Sequence, residues 1–182
     1  MSQIYQREGD PLIYLQVKGQ WYYYDPTSKP LGEGAMGIVY LGYKSSSNER
    51  IAVILPAFAN NPLIRQRAKQ EASLSFSHPN IVRMIGLCEY QEGQGPLFVL
   101  SSYISGITLE YHVKNQLASL PHTDRVEKIS REICSVLDAL EYLHSRGVVH
   151  RDIKPSNLML ENGTTVKLMD LGIARMNGGN KF

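Results

Sequence analysis

Apolar and aromatic positions crowd Leu12 to Tyr24, broken at Lys18-Gly19-Gln20, a pattern that predicts a short β-hairpin. Asp25-Pro26-Thr27-Ser28 reads as a break, and from Leu31 to Val53 two β-like runs flank the polar stretch Lys44–Glu49. Asn60 to Phe76 carries helix formers and charges, with Pro62 suited to a first helical turn. Ile81–Cys88 and Leu97–Ile104 predict two further strands joined by a loop over Gln91–Pro96. Beyond Gly106 the period changes to helical. Leu109–Leu117 predicts a short helix, and Asp124–Ser145 a long one with an apolar stripe of Val126, Ile129, Ile133, Val136, Leu137, Leu140 and Leu143, stopped at Gly147. Val148-Val149, Leu158–Leu160 and Val166–Met169 read as short strands. The fold class is therefore α+β, a β-rich half with one helix followed by a helical half, without internal repeats or low-complexity tracts.

Composition narrows the field. The 182 residues suit one domain or two small lobes sharing a cleft, and 43% hydrophobic with 20% charged residues excludes wholesale disorder, a collagen-like repeat and a disulfide-framed miniprotein. A net charge of +2 without a basic run argues against a nucleic-acid partner. Cys88 and Cys134 lie far apart with no metal-ligand spacing, so both are expected as buried free thiols in a reducing, cytoplasmic setting. Ile51–Ala59, the longest apolar stretch, is interrupted by Pro56 and too short to span a bilayer, and no signal segment opens the chain.

Three segments carry chemistry. Gly32-Glu33-Gly34-Ala35-Met36-Gly37 is a GxGxxG followed by the strand-like Ile38–Leu41 rather than by a helix, which separates it from the dinucleotide-binding turn. His150-Arg151-Asp152-Ile153-Lys154-Pro155-Ser156-Asn157 fills HRDxxxxN at every fixed position. Thirteen residues beyond Asn157 comes Asp170-Leu171-Gly172, a DFG-like turn with leucine at the middle position.

Together with His78-Pro-Asn-Ile-Val82 and Leu140-Glu-Tyr-Leu-His144, these segments occur in the order of a eukaryotic-type serine/threonine protein kinase, which the chain resembles from Lys29 to Arg175, in particular its bacterial branch. The resemblance implies a β-sheet N-lobe over 27–100, a hinge at 101–104 and a partial helical C-lobe over 105–182, with residues 1–26 as a Tyr-rich leader containing a hairpin. ATP and Mg²⁺ would bind between the lobes. Asp152 would be the catalytic base, Lys154 would neutralise the transferred phosphoryl group, and Asn157 and Asp170 would hold Mg²⁺. Gly32, Gly34 and Gly37 would cover the phosphates, while Leu31, Val39, Ala52 and Met159 enclose the adenine. Ser101 would be the gatekeeper, followed by hinge residues Ser102, Tyr103 and Ile104, with backbone groups of Ser102 and Ile104 on the adenine edge. The implied partner is a protein substrate bearing Ser/Thr hydroxyls.

The chain departs from the family's pattern at three places. Where the third strand should read Val-Ala-Ile-Lys it reads Ile51-Ala52-Val53-Ile54-Leu55-Pro56, so either Ile54 replaces the lysine or one residue has been lost before it; the Leu-Pro that follows fits loss better. Lys29 and Lys44, which bracket the glycine loop, are the alternative sources of that ammonium. Glu71, the counterpart of the helix glutamate, would then lack its partner and stand solvated, and it lies only seven residues before His78, implying a shortened helix end. Only seven residues follow Arg175, so the activation segment and later helices are expected to be missing and the long helix's apolar stripe to be bare, favouring self-association. The competing expectation is a pseudokinase-like nucleotide- or protein-binding module, or an inactive fragment.

Overall fold

The computed structural model describes residues 3–34, 37–73, 75–91, 94–169 and 175–176, with the side chains of residues 71, 91, 94, 175 and 176 outside that description. The chain divides into two units, Met1–Ser75 with Arg83–Tyr103 and Phe76–Val82 with Ile104–Phe182.

The first unit comprises strands β1 (Gln3–Gln6), β2 (Ile13–Val17), β3 (Gln20–Tyr24), β4 (Gly32–Gly34), β5 (Gly37–Lys44) and β6 (Arg50–Pro56), helix α1 (Pro62–Ser73), and strands β7 (Met84–Gln91) and β8 (Gln94–Ser102). Their antiparallel sheet runs β1-β2-β3-β5-β6-β8-β7, with β4 paired to β5. The predicted hairpin is β2–β3, and its two-residue turn puts Lys18 and Gly19 at φ 49° and 75°, the mirror-image turn whose twist suits a hairpin. The leader is no separate appendage. Leu15 and Val17 of β2 and Tyr22 and Tyr24 of β3 share one buried cluster with Ile51, Val53, Cys88, Phe98 and Leu100. On the opposite face Tyr5, Tyr14, Tyr23 and Tyr43 stand side by side across four strands, at centroid separations of 4.8, 5.9 and 5.6 Å, the cross-strand packing that rewards aromatic residues in sheets.

The boundaries of β7 and β8 differ from expectation. Of the loop expected over Gln91–Pro96, Gln91 belongs to β7 and Gln94 to Pro96 belong to β8, residues 92 and 93 lying outside the described residues; Pro96 is accommodated where the ladder shifts register between Glu89 and Gln91. β7 starts at Met84 rather than Ile81, because residues 76–82 pack with the second unit: Ile81 bridges Leu168, and Asn80 Nδ2 donates to the Val166 carbonyl at 2.9 Å.

That unit contains β9 (Gly106–Thr108), α2 (Leu109–Asn115), α3 (His122–His144), β10 (Val148–Val149), β11 (Leu158–Glu161), β12 (Thr165–Leu168) and β13 (Arg175–Met176). Strands pair in the orders β12-β11-β9 and β10-β13. Thr108 Oγ1 accepts from the Tyr111 amide and caps α2. A buried polar contact joins the two helices: fully buried His112 has Nε2 3.1 Å from Glu132 Oε1 and Nδ1 2.6 Å from Gln116 Oε1. The apolar stripe of α3 divides rather than standing wholly bare. Val136 and Leu143 are buried, whereas Val126, Ile133 and Leu137 are about half exposed. Cys134 on the same helix is exposed, against the expectation of two buried thiols; it follows buried Glu132 by two positions, a rotation of about 200°. Cys88 is buried as expected, and burial pushes its thiol up to about 11. No helix among the described residues is long and apolar enough to cross a membrane.

Candidate active site

In the second unit the segment after β10 is organised by the ring of His150. His150 is buried, and its Nε2–H donates to the Met169 carbonyl at 2.9 Å, leaving Nδ1 to accept the Asp152 amide at 3.3 Å. The ring thus ties the loop to the residue that precedes Asp170. Arg151, between His150 and Asp152, takes φ 71°, a left-handed conformation unfavourable to a residue with a Cβ.

Asp152 receives two side chains. Lys154 Nζ stands 2.7 Å from its Oδ2 and Asn157 Nδ2 donates to the same oxygen at 2.9 Å, while that amide nitrogen also donates to the Asp152 carbonyl at 2.9 Å. The Lys154 hydrogen bond, aided by the Asn157 amide and opposed by partial burial, holds the Asp152 carboxyl below the usual carboxylate range, so it is ionised at neutral pH. Asn157 is buried at the end of a single 3₁₀ turn begun by Pro155; its amide donates to the Lys154 carbonyl, and its carbonyl accepts from Met169. With Nδ2 committed to Asp152, Oδ1 is the atom this side chain has for a cation. Met159 lies on β11 between buried Leu158 and Leu160, half-buried on the other face, and Ile104 is buried. Asp170 lies outside the described residues, among which no cluster of three His, Cys, Asp or Glu side chains could hold a metal.

In the first unit β4 and β5 flank the glycine turn, of which residues 35 and 36 lie outside the description. The glycines differ in what requires them. A Cβ on Gly37 would stand 2.1 Å from the Leu55 carbonyl oxygen, so the fold itself demands glycine there, whereas a Cβ on Gly32 or Gly34 meets no described atom within 4 Å. Leu31 is exposed and donates its amide to the Val39 carbonyl at 2.8 Å. Alternation puts Val39, Ala52, Ile54, Val99 and buried Ser101 on one face, in cross-strand rows Val39–Ile54–Val99 and Leu41–Ala52–Ser101. Ser102 is opposite Ile51 and donates its amide to the Arg83 carbonyl. Tyr103 carries the guanidinium of Arg50 4.7 Å from its ring centroid.

The β5–β6 ladder is unbroken from Gly37↔Pro56 to Tyr43↔Arg50. Ile54 therefore occupies the position two residues after Ala52 on the same face, between two valines. Lys44 cannot stand in for the absent ammonium. It lies five residues from Val39, about 17 Å along the strand, and on the opposite face. Lys29 is exposed in the segment before β4. The side chain of Glu71 lies outside the description, and its helix ends at Ser73, five residues before His78.

The order of these elements and the loop around Asp152 are those of one family. The chain belongs to the protein kinase domain family, which matches residues 26–181. It is 33% identical over 152 residues to the probable serine/threonine-protein kinase PknB of Lactococcus lactis, an alignment covering 81% of this chain and 23% of that protein. It is 34% identical over 158 residues to the serine/threonine-protein kinase PknD of Chlamydia caviae, covering 79% and 16%, and 32% identical over 150 residues to the probable serine/threonine-protein kinase kinX of Dictyostelium discoideum, covering 80% and 13%. The chain thus spans less than a quarter of the length of these relatives.

Two features escaped sequence reading. His150 counted only as a motif letter, although its two ring contacts organise the loop. The charged contacts of α1 with β7 also went unread; their signal was Glu89, an acidic residue immediately after an apolar strand run.

Proposed function

We propose that the chain forms part of a serine/threonine protein kinase that transfers the γ-phosphoryl group of ATP to a protein hydroxyl. The observation that carries this reading is the Lys154–Asp152–Asn157 constellation: an ionised carboxylate next to an ammonium and an amide. Asp152 accepts the proton of the attacking Ser or Thr hydroxyl as the oxygen bonds to phosphorus and the bond to the β-phosphate oxygen breaks. Lys154 faces the negative charge spread over the transferred group. Asn157 Oδ1 and Asp170 are the oxygen donors for Mg²⁺, a hard cation that would neutralise phosphate charge. In the first unit the backbone of Gly32, Gly34 and Gly37 would cover the phosphates, and Leu31, Val39, Ala52 and Ser102 would meet the adenine; Met159 and Ile104 are the family's adenine-facing counterparts in the second unit. The partner is a protein substrate. The half-exposed Val126, Ile133 and Leu137 offer a surface for self-association, and two unpaired thiols suit a reducing cytoplasmic setting.

A second reading is favoured by one observation. Ile54 stands in an apolar row where the family's strand lysine would meet the phosphates, so the chain would bind nucleotide or protein with little turnover. Two measurements decide. Autophosphorylation that disappears in Asp152→Asn supports the enzyme, and an equal signal in that variant sinks it. Nucleotide affinity is then measured after Ile54→Lys and, separately, after insertion of lysine between Val53 and Ile54. Affinity rises in at least one; no gain in either overturns the account of the defect.

A further inference from the structure

The alternation of β7 turns Cys88 into the buried cluster and Glu89 toward the other face, where α1 packs on β7 and β8. The Glu89 side chain is 11% exposed and meets cations from two successive turns of the helix: Arg65 Nη1 at 2.6 Å from Oε1 and Lys69 Nζ at 3.0 Å from Oε2. Arg65 is itself buried, and its Nη2 donates to the carbonyl of Gly95 on β8. One guanidinium fork therefore joins the helix to both strands of the β7–β8 hairpin. A lysine has no such fork, and a buried arginine deprived of its carboxylate is strongly destabilising. β6 contributes no comparable charge at Ile54, whose cross-strand neighbours are Val39 and Val99.

We propose that Glu89 is a positioning residue for α1. Through Arg65 and Lys69 it holds the helix against the β7–β8 hairpin, so the placement of α1 is set within the first unit and needs neither an ammonium from β6 nor bound nucleotide. Its bearing on turnover rests on the kinase reading; the clamp itself does not.

Hydrogen exchange of the full chain tests it, followed in peptides covering 62–73 with and without ATP and Mg²⁺. The wild type protects α1 without nucleotide, and addition of nucleotide changes that protection less than twofold. Glu89→Gln speeds exchange of α1 at least tenfold while peptides of α3 are unaffected. Arg65→Lys behaves like Glu89→Gln because it lacks the fork to Gly95. The paired change Arg65→Met with Glu89→Leu removes both charges together and returns protection to within twofold of wild type, which separates loss of the clamp from general misfolding. Wild-type protection of α1 in Glu89→Gln, tenfold tightening of wild-type α1 by nucleotide, or a paired variant as open as Glu89→Gln would each overturn the proposal. Failure of ATP to bind counts against the kinase reading alone, since the variant comparisons without nucleotide still decide the clamp.

Discussion

Arg151 holds a left-handed φ of 71° between His150 and Asp152, whose amide donates to the His150 ring, and Asp152 in turn meets Lys154 and Asn157. The electrostatics follow with a definite sign. Asp152 is held below the usual carboxylate range chiefly by Lys154, so its stabilising contribution is present above the ordinary carboxylate value and is lost as pH falls through the lowered one. Lys154→Met should therefore move the Asp152 titration upward, toward the ordinary carboxylate value, as read from its carboxyl carbon resonance; an unmoved midpoint would remove Lys154 as the cause. The thiols give a second test at this scale. Cys134 should alkylate at once at pH 8, whereas Cys88, buried and raised to about 11, should label only after denaturation, as read by mass spectrometry.

Elements were legible to the degree that their pattern was long. The 23-residue α3 stands out by its period, and the β2–β3 hairpin by its turn residues. β1, with four residues, and β9, with three, carry too little alternation to announce themselves, and only their pairing partners define them. The leader's place in the sheet has a measurable consequence. Leu15 is fully buried in the cluster it shares with Val53 and Leu100, so Leu15→Ala should cost about 2–5 kcal/mol in urea unfolding, against nothing measurable if the leader were an appendage. The glycine turn makes a sharper contrast. Gly37→Ala forces a Cβ against the Leu55 carbonyl and should cost about 1–3 kcal/mol or more. Gly34→Ala meets no described atom within 4 Å, so on the kinase reading its cost should appear in nucleotide affinity rather than in melting temperature.

For the whole molecule, family and α+β class were readable because HRDxxxxN and the ordered phrases around it tie residue types to fixed spacings. In the loop after β10 the sequence alone placed a carboxylate, an ammonium and an amide within six residues, Asp152 to Asn157, and the fold brings those three side chains into contact. The sequence also determined that a lysine is absent from the third family strand. What spacing along the chain cannot encode is which face a residue takes and which distant residue meets it. Lys44 is near the glycine loop in sequence yet on the wrong face of β5, and residues 76–82 leave the unit that surrounds them in sequence. Glu89 likewise meets its cations 20 and 24 positions away. Strand register and side-chain burial decide such pairings, because a one-residue difference in a strand reverses the face, and those are properties of the packed chain.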